Sequence, residues 1–126
     1  MKQKELAELG YQILMILAIV DGEYEENEID VILNFIKENY TQEINLEELN
    51  DRLSELPQSQ QLEYLEKLVK GFNMLSSHDQ RVHFLNFAID LVSADNKIEP
   101  EEKRTLSKIA SFWNVDYDTS ILKRME

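Results

Sequence analysis

One type of segment occurs twice in this chain of 126 residues, and it limits the fold more than any other feature. Residues 18–28 read AIVDGEYEENE and residues 92–102, seventy-four positions later, read VSADNKIEPEE. Each copy ends a very apolar stretch and leads into a segment whose apolar residues recur every three or four positions, the spacing of one helix face. The chain thus repeats an apolar helix, an acidic turn and an amphipathic helix, which predicts an internal duplication in a helical fold.

The composition supports the helical interpretation. Apolar residues make up 43% of the chain, enough for a hydrophobic core at this length. Gly and Pro number only three and two, so few positions supply the turns that a series of β-hairpins requires. We therefore predict an all-α fold with a single domain over residues 1–126, a bundle of six to seven helices with an internal pseudo-twofold repeat.

Apolar spacing places the predicted helices, and local signals mark some of their ends. Asn45 with Glu48, and Ser77 with Gln80, have the spacing of capping boxes at helix starts. Gly71 lies inside an amphipathic segment, which predicts a close helix approach there. The two most apolar helices, the first and the fifth, are expected to pair at the centre of the core. The predicted helices cover about Lys4–Val20, a segment from Glu25 or Glu26 to about Asn39, a short segment between Asn45 and Pro57, Ser59–Leu75, Asp79–Ala94, Pro100–Trp113 and Asp118–Met125.

The charge is strongly one-sided, with 25 acidic against 13 basic residues and a net charge of −12. Such a surface repels nucleic acid and anionic lipid, so neither is expected as a partner. It suits a cation, a basic protein partner, or only solubility. The apolar run from Ile13 to Val20 is too short to span a membrane, so no direct membrane insertion is expected. The absence of cysteine excludes thiolate metal sites and thiol nucleophiles and is compatible with the cytoplasm.

Each acidic turn offers three carboxylates at matching positions, and hard divalent cations prefer oxygen ligands of this kind. Calcium or magnesium is the expected ion. If the first and fifth helices run parallel or cross steeply, the two turns can share one ion; if they run antiparallel, the turns fall at opposite ends of the bundle. The candidate metal ligands are Asp21, Glu25, Glu28, Asp95, Glu99 and Glu102.

The turns share only half of the calcium-binding EF-hand pattern. An EF-hand loop also has ligands at its first and third positions. Here those positions hold Leu17 and Ile19 in the first copy, and Leu91 and Ser93 in the second. An EF-hand is therefore excluded for both turns.

A purely structural role explains the same acids without an ion. Asp21 and Asp95 would fasten the turns through hydrogen bonds from the backbone to their side chains. Glu28 and Glu102 would close capping boxes and interact favourably with the helix dipole. The sequence leaves both the metal-binding and the structural interpretation open.

The sequence contains no recognised catalytic motif, whether a Ser–His–Asp order, a glycine-rich phosphate loop or His-Glu-x-x-His. His78 and His83 are five positions apart, so they do not share a helix face, and they are expected to be polar surface residues. We therefore expect a protein that is not an enzyme and that binds no organic cofactor. A hydrolase with two paired carboxylates stays as an alternative, because it requires only two acids at the right distance.

At the doubled turn the chain resembles the TerB-like family of tellurite-resistance proteins, which also includes the N-terminal region of a membrane-anchored DnaJ-type co-chaperone. The resemblance rests on residues 18–24 with Glu28, and on residues 94–98 with Glu102. It implies an all-helical bundle with a pseudo-twofold repeat, and a bacterial stress-response role in the cytoplasm or at the inner membrane through protein partners rather than catalysis. It also implies an acidic cluster for a divalent metal at Asp21, Glu28, Asp95 and Glu102.

Two residues of the second turn depart from the family pattern. Asn96 stands where the motif has Gly, although Asn tolerates the left-handed backbone conformation. Lys97 adds a positive charge that would offset part of a metal site. The expectation is a non-enzymatic, cytoplasmic domain that binds a divalent cation, a protein partner or both through its acidic turns. The alternative is an interaction module for a basic or amphipathic protein, with no metal.

Overall fold

The computed structural model describes residues 2–20, 26–40, 44–92 and 100–113. Within these ranges the chain forms six α-helices, one short 3-10 turn and no β-strand, which confirms the predicted all-α bundle. The predicted seventh helix, Asp118–Met125, lies outside the described residues. The helices are α1 (Lys2–Val20), α2 (Glu26–Asn39), α3 (Leu46–Glu55), α4 (Gln61–Leu75), α5 (His78–Val92) and α6 (Pro100–Phe112).

The start of α4 differs from the prediction for a local reason. The sequence placed this start at Ser59, but Gln58–Gln60 form a 3-10 turn after Pro57. The Gln60 amide donates to the Pro57 carbonyl at 2.9 Å. Tight turns of this kind are frequent at the ends of α-helices, so the α-helix itself begins two residues later.

Both predicted helix starts are capped, but the box at Asn45 is only half formed. The Asn45 side chain accepts a hydrogen bond from the Glu48 amide at 3.1 Å, while the Glu48 carboxylate accepts from Arg52 at 2.7 Å. At the start of α5 the capping box is reciprocal. The Gln80 amide donates to the Ser77 hydroxyl at 3.2 Å, and the Ser77 amide donates to the Gln80 side chain at 2.8 Å.

Helix α1 lies at the centre of the bundle. Its residues from Leu6 to Ala18 are buried, except for the partly buried Glu8 and Leu9. A helix that is apolar nearly all round has to be surrounded, and α1 packs against α2, α3, α4 and α5. Among the residues that the structure describes, no helix is long and apolar enough to cross a membrane.

The main partner of α1 is α4 rather than the predicted α5, although α5 also packs against α1. Gly71 in α4 lies at this contact, because a Cβ atom at this position would lie only 3.3 Å from Leu9 Cδ1. The absence of a side chain at Gly71 leaves room for the end of Leu9. The predicted close approach at Gly71 is thus confirmed.

All six helices contribute side chains to one hydrophobic core. Its aromatic centre is formed by Phe72, whose ring centroid lies 4.7 Å from that of Phe84 and 5.0 Å from that of Trp113. A buried indole needs a hydrogen-bond acceptor, and Trp113 Nε1 donates to the Val69 carbonyl at 2.9 Å. The α6 residues predicted to be buried are all buried: Leu106, Ile109, Ala110 and Trp113.

Two polar contacts inside the bundle fix α1 against its neighbours. Gln12 is only 3% exposed, and its side-chain carbonyl accepts from the Tyr64 hydroxyl at 2.5 Å. The Tyr11 hydroxyl donates to Asn50 Oδ1 at 2.6 Å. Because buried polar groups are costly when unpaired, these bonds favour one arrangement of α1 on α3 and α4.

The predicted repeat has a counterpart in the start points of two helices. α2 and α6 begin seventy-four positions apart, at Glu26 and Pro100. Ile32 and Leu106, which the same offset pairs, are both fully buried. The pseudo-twofold repeat of the whole chain stays a prediction.

Candidate functional site

The predicted metal ligands fall largely outside the described residues. Glu28 and Glu102 lie in the first turns of α2 and α6, but the described side chains do not include theirs. The helices that lead into and out of the two turns define the ends of the bundle to which the turns are attached. The four predicted ligands that lie entirely outside the described residues are Asp21, Glu25, Asp95 and Glu99.

Helices α1 and α2 form an antiparallel pair. A Cβ atom at Gly10 would lie 3.3 Å from Ile36 Cδ1. Gly10 comes ten residues before the end of α1, and Ile36 comes ten residues after the start of α2. Each helix thus extends about 15 Å from this contact, whereas six positions of chain, from Val20 to Glu26, span at most about 22 Å, so the helices cannot run in the same direction. They run back along each other from the first acidic turn, as in an αα-hairpin.

Helices α2 and α5 are antiparallel as well. Near the end of α2, Asn39 Oδ1 lies 3.1 Å from Nε2 of His83, which is near the start of α5. One turn earlier in α2, the Phe35 ring stacks on Phe87, one turn later in α5, with centroids 3.9 Å apart. The start of α2 therefore lies towards the end of α5.

It follows that α1 and α5 run in the same direction and end at the same end of the bundle. They meet at Gly10, where a Cβ atom would lie 3.0 Å from Phe84 Cε2. From that level α1 continues for ten residues to Val20 and α5 for eight residues to Val92, about 15 Å and about 12 Å at the rise of an α-helix. Of the arrangements that the sequence left open, the antiparallel one is excluded for these two helices.

The starts of α2 and α6 provide a second, local reason for acidic residues. Glu28 and Glu102 each lie within the first turn of a helix. The N-terminus of a helix carries a partial positive charge that stabilises a nearby carboxylate without any ion. A helix dipole and a bound cation would act on the same side chains, so ion-binding measurements are what separate the two interpretations.

The donor types of the predicted ligands fit a hard cation such as calcium or magnesium, because all six are carboxylates and the chain has no cysteine. Among the side chains that the structure describes, no group of three or more His, Asp or Glu could hold a metal ion. A site with three such ligands would therefore include acids whose side chains lie outside the described part of the chain. All six predicted ligands are of this kind.

The structure also contains a surface groove that the sequence did not predict, which we name the α2–α5 groove. It has a volume of about 530 Å³ and lies between α2 and α5. His83 is exposed, as predicted for a surface residue, but its ring also stacks on Phe35 at a centroid distance of 5.5 Å. The nine lining residues are Val31, Asn34, Phe35, Glu38, Asn39, His83, Asn86, Phe87 and Asp90.

Comparison with known proteins identifies one family. The family model described as tellurite resistance protein TerB matches residues 10–125, which is nearly the whole chain and includes both acidic turns. No curated protein and no solved structure matches the chain.

Proposed function

The chain belongs to the TerB family of tellurite resistance proteins, and on this premise we propose that its two acidic turns bind one divalent cation between them. Family membership supports a helical domain like those of tellurite-resistance proteins. We propose further that it is a non-enzymatic, cytoplasmic domain of a stress-response protein, in which ion binding, partner binding or both take place at the acidic turns.

The observation that carries the proposal is the common direction of α1 and α5. The last residues of these helices, Val20 and Val92, come ten and eight residues after the contact of Gly10 with Phe84, towards the same end of the bundle. The sequence then attaches one acidic turn to each helix end. A hard cation needs several oxygen ligands, and neither turn alone has the full ligand set of an EF-hand.

In this proposal the ion is held mainly by the acids that the family resemblance points to: Asp21, Glu28, Asp95 and Glu102. Glu25 and Glu99 add one further carboxylate from each turn. In a chain with a net charge of −12, six carboxylates brought together in this way would repel one another, and a divalent cation would relieve that repulsion. Lys97 would neutralise part of the same charge, so the site would have a moderate affinity.

Binding of one ion would join the two halves of the domain. The first turn connects α1 to α2, and the second follows α5 and precedes α6. An ion shared by the turns would tie these two helix pairs together and set the shape of the end that faces a partner. This suits a protein that acts by binding other proteins in response to a change in its surroundings.

The test is calorimetric titration of the chelator-stripped full chain with calcium, followed by magnesium, manganese and zinc. We expect binding that is lost in Asp21→Asn and in Asp95→Asn, because each turn supplies part of one site. Asp51→Asn is the matched control, since it removes an exposed acid from α3 and should leave binding unchanged. Circular dichroism of each variant checks that the helices are intact.

Other outcomes would change the proposal. If no ion gives heat, the metal proposal is wrong and the alternative of a protein-interaction module without metal takes its place. If Asp21→Asn and Asp95→Asn lose helical signal instead of affinity, the two acids fasten the turns structurally. Partner binding that persists unchanged in chelator would likewise support the alternative.

A further inference from the structure

The α2–α5 groove has an aromatic floor of which Phe87 is partly open to solvent, while Phe35 is buried. The rings of Phe35 and Phe87 stack nearly parallel, 3.9 Å apart with an interplanar angle of 12°. Phe87 is only partly buried, and Val31 on the groove wall is 45% exposed. Apolar side chains that stay exposed beside a concave surface are a feature of binding sites for partner molecules.

Acidic side chains stand towards the two ends of this apolar floor. Glu38 lies at the end near Asn39, and Asp90 lies at the end near Val31, since α2 and α5 run antiparallel. The register of Phe35 on Phe87 puts these two acids about 9 Å apart along the helix axes. Neither Lys nor Arg is among the described lining residues, so the groove shares the negative sign of the whole chain.

The side-chain amide of Asn39 already makes hydrogen bonds within the wall of the groove. Asn39 donates through Nδ2 to the Phe35 carbonyl at 2.8 Å, so its Oδ1 atom is the acceptor that faces His83 Nε2 at 3.1 Å. This contact requires a proton on Nε2 of His83. The hydrogen bond between Asn39 and His83 thus forms one wall of the groove. Glu38 is the exposed anionic group at this end of the groove.

We propose that the α2–α5 groove is a docking surface for a basic, amphipathic helix of a partner protein. An apolar side chain of that helix would lie on Phe87, and basic side chains about two helical turns apart would reach Glu38 and Asp90. Arginine suits both contacts, because its guanidinium stacks on aromatic rings and pairs with carboxylates. Charge complementarity favours a basic partner, since an acidic or neutral helix would form no favourable charge interaction with the carboxylates at the two ends of this groove.

The probe is a synthetic 14-residue helical peptide with arginines seven positions apart, leucines between them on the same face and glutamine elsewhere. Its binding to the full chain is measured in chelator by fluorescence anisotropy, and amide chemical shifts locate the binding surface. We expect Glu38→Lys to weaken binding by about tenfold or more. Glu66→Lys, the same charge change at an exposed position on α4 outside the groove, should weaken it less than about twofold.

The inference is overturned if the arginine peptide does not bind, or if a peptide with glutamate in place of arginine binds equally well. It is also overturned if Glu38→Lys and Glu66→Lys weaken binding equally, or if the amide chemical shifts that change lie outside α2 and α5. A dimer of the chain that Glu38→Lys dissociates would overturn it as well, because a second copy would then be the occupant.

The inference and the metal proposal can fail separately. Chelator removes any ion, so peptide binding in its presence cannot come from a metal site. If peptide binding is lost in Asp21→Asn and Asp95→Asn but kept in Glu38→Lys, the partner docks at the acidic turns. That result would contradict the groove and leave the role of the turns in place.

Discussion

At the scale of single residues, two glycines, Gly10 on α1 and Gly71 on α4, lie close to side chains of neighbouring helices. A Cβ atom at Gly10 would lie 3.0 Å from Phe84 Cε2 and 3.3 Å from Ile36 Cδ1, and both partners are fully buried. A Cβ atom at Gly71 would instead meet the end of Leu9, a partly buried and flexible side chain. The two positions look alike in sequence, but the space around them differs.

We expect Gly10→Ala to lower the free energy of unfolding by about 1–3 kcal/mol, because the Phe84 ring has no room to move aside. Gly71→Ala should change it by less than about 1 kcal/mol, since Leu9 can rotate away and alanine favours the helix. Urea unfolding of both variants measures the difference. Equal destabilisation would show that the two helix contacts are equally tight.

A second residue-scale prediction concerns the pH dependence of stability. Burial raises the pKa of Tyr40 well above its ordinary value of 10.0. Above pH 10 the unfolded chain therefore loses the phenol proton before the native chain does, and stability falls as the pH rises, by at most about 1.4 kcal/mol per pH unit. Below pH 10 this residue has no such effect.

Tyr40→Phe removes this proton, so the variant should lose less stability than the unaltered chain between pH 10 and pH 11.5. Denaturant unfolding at a series of pH values gives the two curves. Parallel curves would mean that Tyr40 ionises in the native state as it does in the unfolded chain.

At the scale of elements, the connection between α4 and α5 is held by one side chain as well as by the Ser77 cap. Arg81 Nη1 donates to the carbonyls of Asn73 and Ser76 at 2.9 Å and 2.7 Å. These atoms lie in and just after the last turn of α4, where a helix carries unpaired carbonyls and a partial negative charge. The contact therefore fixes the end of α4 against the second turn of α5.

Arg81→Gln should lower the free energy of unfolding by about 2 kcal/mol, because it leaves carbonyls at the end of α4 without their charged donor. Arg104→Gln is the control, since Arg104 is exposed on α6 and its replacement should cost less than about 0.5 kcal/mol. Thermal or urea unfolding of the two variants checks this. Equal effects would mean that the connection needs only its capping box.

Most of the elements could be predicted from the sequence, because they depend on local signals. The spacing of apolar residues, the Ser77–Gln80 box and Pro100 at the start of α6 each act within a few positions of the chain. The preference of α1 for α4 could not be predicted, since it arises from contacts between residues far apart in the chain, such as Leu9 with Gly71 across sixty-two positions. Nor could the α2–α5 groove, which arises from the contact of Phe35 with Phe87.

The candidate site was predictable in composition but not in geometry. The spacing of Asp21 and Asp95 suggested a pair of equivalent turns, but no local signal states whether the preceding helices are parallel. That relation depends on packing at Gly10 and between Asn39 and His83, which joins distant parts of the chain.

At the scale of the whole molecule, two helix pairs, α1 with α2 and α5 with α6, pack together so that α1 and α5 end on the same side of the bundle. α1 with α2, and α5 with α6, each surround one acidic turn in sequence. A shared ion would couple the two pairs, so the ion-bound chain should be more stable than the chelator-treated one. At a hundred times the dissociation constant the gain would be about 2.7 kcal/mol.

The most direct test of a shared site is the number of calcium ions that one chain holds, counted by native mass spectrometry after the chelator-stripped protein is mixed with calcium. We expect one ion per chain, and none in either Asp21→Asn or Asp95→Asn. Two ions per chain, each lost in only one variant, would mean that the turns bind separately. If no ion is bound, or if one ion survives both substitutions, the two turns do not share a metal site.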